Sequence, residues 1–251
     1  MDNRDFRKKL GFTNATNLKK FYKATDLKGN NINWSLIESY NQRLYEISIN
    51  LNNAIHNDIQ IDIEKLKEKI ECTYQNIKQY NLIANFNNNG RPYEDVYYNW
   101  MRGFLICEFF KKAICLAFNI DENNFYCIGN DDTKNPKTFS KSATADIEIK
   151  LNNNKIRLEI QSGYTGKNDI KLSKINEAKN CRVETYIIHF DLFNGKVAII
   201  DILNSNIETI NKYAKENPLH EGTMEISIPQ EAFCWDLTDK IQNYKTLTYC
   251  F

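Results

Sequence analysis

The stretch that most constrains this chain is Ala145-Asp146-Ile147-Glu148-Ile149-Lys150, followed by asparagines at 152, 153 and 154, then Ile156-Arg157-Leu158-Glu159-Ile160-Gln161. Both flanks alternate strictly between apolar and polar residues, the pattern of strands with one buried face, and the asparagines suit a tight polar turn. Because side chains alternate across a strand, Asp146, Glu148 and Lys150 share one face, while Arg157, Glu159 and Gln161 form the polar face of the second strand. The two polar faces coincide only where directly paired residue numbers add to an odd total, which a two-residue loop permits. A loop at Asn152-Asn153 sets Asp146 opposite Glu159; a loop at Asn153-Asn154 sets Glu148 opposite Glu159 and Asp146 opposite Gln161. Either register confronts two carboxylates, which is unfavourable unless a cation lies between them. Hard oxygen donors with no nearby histidine or cysteine select Mg²⁺, an ion that uses one or two carboxylates together with substrate phosphate oxygens. The same hairpin is also compatible with a charged, solvated outer face on which Lys150 and Arg157 offset the acids.

Composition narrows the alternatives. At 251 residues, 42% hydrophobic and 26% charged, the chain is long enough to bury a sizeable core. Its three histidines (His56, His189, His220) are far apart, and its seven cysteines (Cys72, Cys107, Cys115, Cys127, Cys181, Cys234, Cys250) form no C-x-x-C pair. That pattern points to reduced, mostly buried thiols and away from a zinc site. There is no apolar run of membrane-spanning length, and the first ten residues are charged, so neither insertion nor secretion is expected and the compartment is cytoplasmic. A net charge of +1 supplies no global positive field; contact with nucleic acid must rest on local lysines and arginines.

Elsewhere the periodicity is helical. Ile37, Tyr40, Leu44, Ile47, Leu51 and Ile55 recur at steps of three and four, as do Leu66, Ile70, Thr73, Ile77 and Tyr80. With a turn at His56-Asn57-Asp58 and Asp62 as a cap, these form an antiparallel helical arm within residues 1–89, serving packing, dimerisation or the grip on a partner. After the loop at 87–90, Pro92 opens a helix over 92–118 that is apolar nearly all round in its second half and therefore central. Glu94, Tyr97, Met101, Leu105 and Glu108 fall on one stripe of it, so two carboxylates share a face with buried neighbours and need partners. Tyr97, Tyr98, Trp100 and Arg102 read as core at this spacing. A strand at 125–129, a polar loop at 130–142, a helix at 169–180, a hairpin of 183–192 with 196–201 through Asn194-Gly195, a helix near 207–215 and a strand at 224–228 complete the pattern. His189 reads as a satisfied strand histidine. The expected architecture is α/β, a mixed central β-sheet flanked by helices over residues 90–251, with the helical arm attached.

A strand carrying Asp, a turn, and a strand carrying Glu-x-Lys or Glu-x-Gln, preceded by an acid-bearing helix and followed by another helix, resembles the PD-(D/E)XK nuclease superfamily. Within it, G-R-P-Y-E-D-V-Y-Y-N-W-M-R-G-F (90–104), A-D-I-E-I (145–149), E-I-Q-S-G-Y-T-G-K-N-D-I-K (159–171) and I-I-H-F-D-L-F-N-G-K-V-A-I-I-D (187–201) are similar to bacterial type II restriction endonucleases. The resemblance covers roughly residues 90–201. It implies that Asp146 and Glu159, with the backbone carbonyl of Ile160, ligate Mg²⁺, and that Glu108 or Glu94 is the helix acid reaching the site through water. Gln161 stands where the superfamily usually has Lys; it carries no charge and is no base at neutral pH, so its implied role is to orient water. By residue type, Gly163, Lys167 and Lys171, with Lys141 before the first strand, suit close approach to and neutralisation of a phosphate, and equally suit ordinary loops with solvated lysines. The activity implied is Mg²⁺-dependent cleavage of double-stranded DNA at a short specific site by a homodimer, with a cognate DNA methyltransferase as cellular partner. The alternatives are a repair or junction-resolving nuclease of the same fold, and a non-catalytic DNA- or protein-binding module.

Overall fold

The computed structural model describes residues 3–23, 32–86, 91–128, 133, 146–151, 154–217 and 223–251. Two short helices, α1 (Asn3–Lys9) and α2 (Ala15–Lys23), precede the expected pair, α3 (Trp34–Ala54) and α4 (Ile63–Gln79). Asn33 caps α3 by accepting the Leu36 N–H, and Asp62 caps α4 by accepting the N–H groups of Glu64 and Lys65. Ile37, Tyr40, Leu44 and Leu51 on α3, and Leu66, Ile70 and Ile77 on α4, are buried within the chain, so the apolar stripe of each helix is consumed by internal packing. Helix α5 (Tyr93–Phe118) starts directly after Pro92. Its Tyr98 ring meets that of Tyr40 at 5.0 Å and its hydroxyl donates to the Phe21 carbonyl, while Tyr97 donates to Asn41 and Arg102 to the Tyr22 carbonyl.

These contacts decide where the units divide. The described residues up to Lys112, with Thr133, form one compact unit; Ala113–Ile128 and the described residues from Asp146 onward form the other. The boundary expected at residue 89 thus falls inside α5, because Tyr97, Tyr98 and Arg102 pack on the preceding helices.

In the second unit, β1 (Phe125–Cys127), β2 (Ile147–Leu151) and β3 (Asn154–Gly163) form an antiparallel meander. Then come β4 (Asp169–Lys171), α6 (Leu172–Cys181) and β5 (Glu184–Asp191), which returns parallel to β3, and β6 (Lys196–Asp201), antiparallel to β5. The chain ends in α7 (Ile207–Tyr213), β7 (Lys215–Asn217), β8 (Thr223–Ser227), β9 (Trp235–Asp236), α8 (Tyr244–Leu247) and β10 (Thr248–Tyr249). The main sheet runs β1-β2-β3-β5-β6-β10 with β9 also on β6, and a second sheet runs β4-β8-β7. With β3–β5 and β6–β10 parallel and the other pairs antiparallel, the central sheet is mixed, as expected.

On one face of this sheet Ile187, Ala198 and Ile200 pack with Ile175 and Ala178 of α6 and with Ile170 and Ile226 of the small sheet. On the other, Tyr186 meets Phe118 at the end of α5 and Tyr244 of α8, whose rings stack at 4.1 Å. Residues 169–171 are a strand where a helix start was expected: Ile170 is buried and all three pair with Glu225, Ile226 and Ser227 of β8. The thiols differ from expectation too, since all seven are free but only Cys115 is buried, with Cys72, Cys127, Cys234 and Cys250 exposed. The cores are filled by Ile, Phe and Tyr instead. Among the described residues no helix is long and apolar enough to cross a membrane.

Candidate active site

The β2–β3 register pairs Ile147 with Leu158, Glu148 with Arg157 and Leu151 with Asn154, so that Asn152 and Asn153 alone separate the two paired strands in sequence. Of the two registers open from the sequence, it is the one that sets Asp146 against Glu159. Glu148 is thereby removed from the pair; it faces Arg157 and takes an ion pair from Lys155 at 3.0 Å. Asp146 sits one residue before β2. The Ile128 N–H holds its backbone carbonyl at 3.1 Å, and its carboxylate accepts the Ile160 N–H at 2.8 Å. The N–H and C=O of one strand residue point to the same neighbouring strand, so the Ile160 carbonyl is directed to the edge where Asp146 lies.

Glu159 is only 7% exposed. Burial, reinforced by the Asp146 charge, pushes its carboxyl up to about 8, against the opposing pull of Lys174 and of a hydrogen bond from Gln161. Lys174 lies in the first turn of α6 and places Nζ 3.0 Å from both Glu159 oxygens. Asp146, Glu159, Gln161 and Lys174 therefore meet in one place, with the Ile160 backbone beside them. Lys174 escaped sequence reading, because which helix residue faces which strand residue is decided by tertiary packing. One local signal existed: a lysine in a helix's first turn opposes the helix dipole and needs an outside reason.

Among the described residues, no three or more His, Cys, Asp or Glu side chains converge as a metal cluster. What the site offers is two carboxylates and a backbone carbonyl, all hard oxygen donors, with the Asp146 charge raising the cost of ionising Glu159. That donor set fits Mg²⁺, which retains several waters and needs few protein ligands.

The remaining expected site residues have other placements. Glu108 belongs to the helical unit and takes Lys69 Nζ at 2.6 Å; Glu94, buried in the same unit, accepts the Asn33 N–H. Lys141 lies outside the described residues. Lys167 and Lys171 are exposed on the path from β3 to α6. Gly163 is buried, and a Cβ there would stand 2.2 Å from Asn168 Oδ1 and 3.0 Å from His189 Nε2. Asp191, buried, accepts Asn168 Nδ2 at 2.8 Å, which turns the amide oxygen of Asn168 toward His189 Nε2 at 2.9 Å. A carboxylate is acceptor-only, so this chain of bonds places the imidazole proton on Nε2. Nδ1, also buried, has no hydrogen-bond partner among the described residues, so His189 is only half satisfied. Burial pushes its pKa down to about 3, leaving the ring neutral.

Comparisons with protein-family models, with curated proteins and with solved structures found no match to the chain.

Proposed function

We propose that this chain is a Mg²⁺-dependent endonuclease that hydrolyses phosphodiester bonds of double-stranded DNA at a short specific site, a type II restriction enzyme with a PD-(D/E)XK core. The observation that carries the reading is the Asn152-Asn153 register, which brings Asp146 against Glu159 on a hairpin preceded by an acid-bearing helix and followed by α6. Asp146, Glu159 and the Ile160 carbonyl hold the cation. Bound there, Mg²⁺ supplies Lewis acidity toward a phosphoryl oxygen and toward the attacking water. Gln161, held against Glu159, presents an amide that orients water by hydrogen bonding and takes no proton. Lys174 supplies the positive charge that Gln161 lacks. A palindromic site is matched by a two-fold symmetric protein, so the reading includes a homodimer, and a cognate DNA methyltransferase that protects host DNA.

Plasmid digestion tests this directly. Discrete bands are expected with Mg²⁺ and none with EDTA, and Asp146→Ala and Glu159→Ala should each lower the cleavage rate by roughly 10³-fold or more while the fold is kept. Cutting confined to branched DNA would replace the restriction reading with junction resolution; full activity in either variant would remove the site altogether.

A further inference from the structure

Lys174 occupies a position that its own helix disfavours. The first turn of α6 contains no acidic residue and its capping residue, Lys171, makes no side-chain capping bond, so Lys174 adds charge to the positive end of the helix dipole. Glu159 holds it there, with both carboxylate oxygens 3.0 Å from Nζ. The two partners differ in freedom. The Glu159 side chain is 9% exposed and fixed on a central strand, whereas Lys174 is 22% exposed at the end of a flexible four-carbon stem. The oxygens best placed to receive a divalent ion are therefore already committed to a cation, and that cation is the mobile member of the pair.

We propose that Lys174 is a displaceable counter-cation: a divalent ion entering between Asp146 and Glu159 takes its place at the Glu159 oxygens, and the released ammonium turns outward to receive an anionic phosphate. The proposal rests on reading Asp146 and Glu159 as metal ligands. Charge balance supports the exchange. With both carboxylates ionised, the form that binds metal, one ammonium leaves the site net negative, which attracts a metal and repels a phosphodiester. A divalent ion alone neutralises the two carboxylates, and a second cation on the same oxygens is then repelled by it with no unbalanced carboxylate charge left to hold it. Lys174, the weaker competitor, gives way, and its charge then makes the site net positive toward phosphate.

Reductive methylation of the full-length chain, read by mass spectrometry during titration with Mg²⁺ alone, reports Lys174 directly. Its reactivity is expected to rise on the order of fivefold as Mg²⁺ saturates, while exposed Lys167 stays constant. Calorimetric titration at about pH 9, above the raised value of Glu159, should show Lys174→Met binding Mg²⁺ roughly three- to tenfold more tightly than the unaltered chain, with Lys174→Arg no tighter than it. Unchanged or falling reactivity of Lys174, affinity of Lys174→Met at or below that of the unaltered chain, or no uptake of Mg²⁺ by either protein would each overturn the exchange. Plasmid cleavage is scored separately: a chain in which Mg²⁺ frees Lys174 but no DNA is cut keeps the exchange and loses the nuclease reading.

Discussion

Glu159 stands between neighbours of opposite sign, and its burial decides the outcome. The folded state raises its pKa from 4.5 to about 8, so between those values the folded chain holds a proton that the unfolded chain has released. Stability from this group is therefore complete below about pH 4.5 and is lost as pH rises through about 8, a swing on the order of a few kcal/mol. Urea unfolding of the unaltered chain should weaken across that window relative to Glu159→Gln, which has no proton to lose; parallel pH profiles would mean that Glu159 ionises as freely as in water. Added Mg²⁺ should shrink this decline and end it at lower pH, because a cation favours the ionised carboxyl in the folded state and so brings its pKa back toward the unfolded value. Gly163 is constrained by space. Since its Cβ would lie 2.2 Å from Asn168 Oδ1, Gly163→Ala must push apart the Asp191–Asn168–His189 chain of bonds. The expected loss is about 2–4 kcal/mol from overpacking and unpaired buried polar groups, read as a lower urea midpoint. A midpoint within experimental error of the parent would show that Asn168 can move aside at no cost.

Elements whose pattern is local are legible in the sequence. Asp62 followed by an apolar periodicity marks the start of α4, and the cap bonds to the Glu64 and Lys65 N–H groups form as that pattern requires. Asp62→Ala should cost about 1 kcal/mol and speed amide exchange at Glu64 and Lys65; unchanged exchange at both would deny the cap any role. The alternation of β2 and β3 is equally local, and parity left only two registers, of which the structure takes the one at Asn152-Asn153. What could not be read depends on distant partners. Asp169-Ile170-Lys171 looks like the first turn of a helix until β8, more than fifty residues later, pairs with it and Ser227 Oγ donates to Asp169 at 2.7 Å. Lys174 belongs to the same class: no spacing in the chain says that α6 lies across β3 with this residue over Glu159. The exposed cysteines depart from expectation for a related reason: the preference of thiols for the interior is a tendency of composition, and tertiary packing assigns each place.

Across the whole molecule the two units divide the chemistry unequally. Asp146, Glu159, Gln161 and Lys174 all lie in the sheet unit, whereas Glu94 and Glu108 are engaged with Asn33 and Lys69 in the helical unit. A ligand that binds only the folded site stabilises whatever must unfold to lose that site, by about 2.7 kcal/mol at a hundredfold excess over its dissociation constant. Mg²⁺ at that concentration should therefore slow amide exchange by up to about a hundredfold in β2, β3 and the first turn of α6, the segments that carry Asp146, Glu159 and Lys174. Helices α3 and α4 bury a different set of residues, Ile37, Leu44 and Leu51 on one and Leu66, Ile70 and Ile77 on the other, and their exchange should not change. Equal protection in both units would mean that they open together as one cooperative body. Absence of protection in β2 and β3 would mean that the facing carboxylates hold no ion, leaving Lys174 as the permanent partner of Glu159 and the hairpin as a charged structural edge.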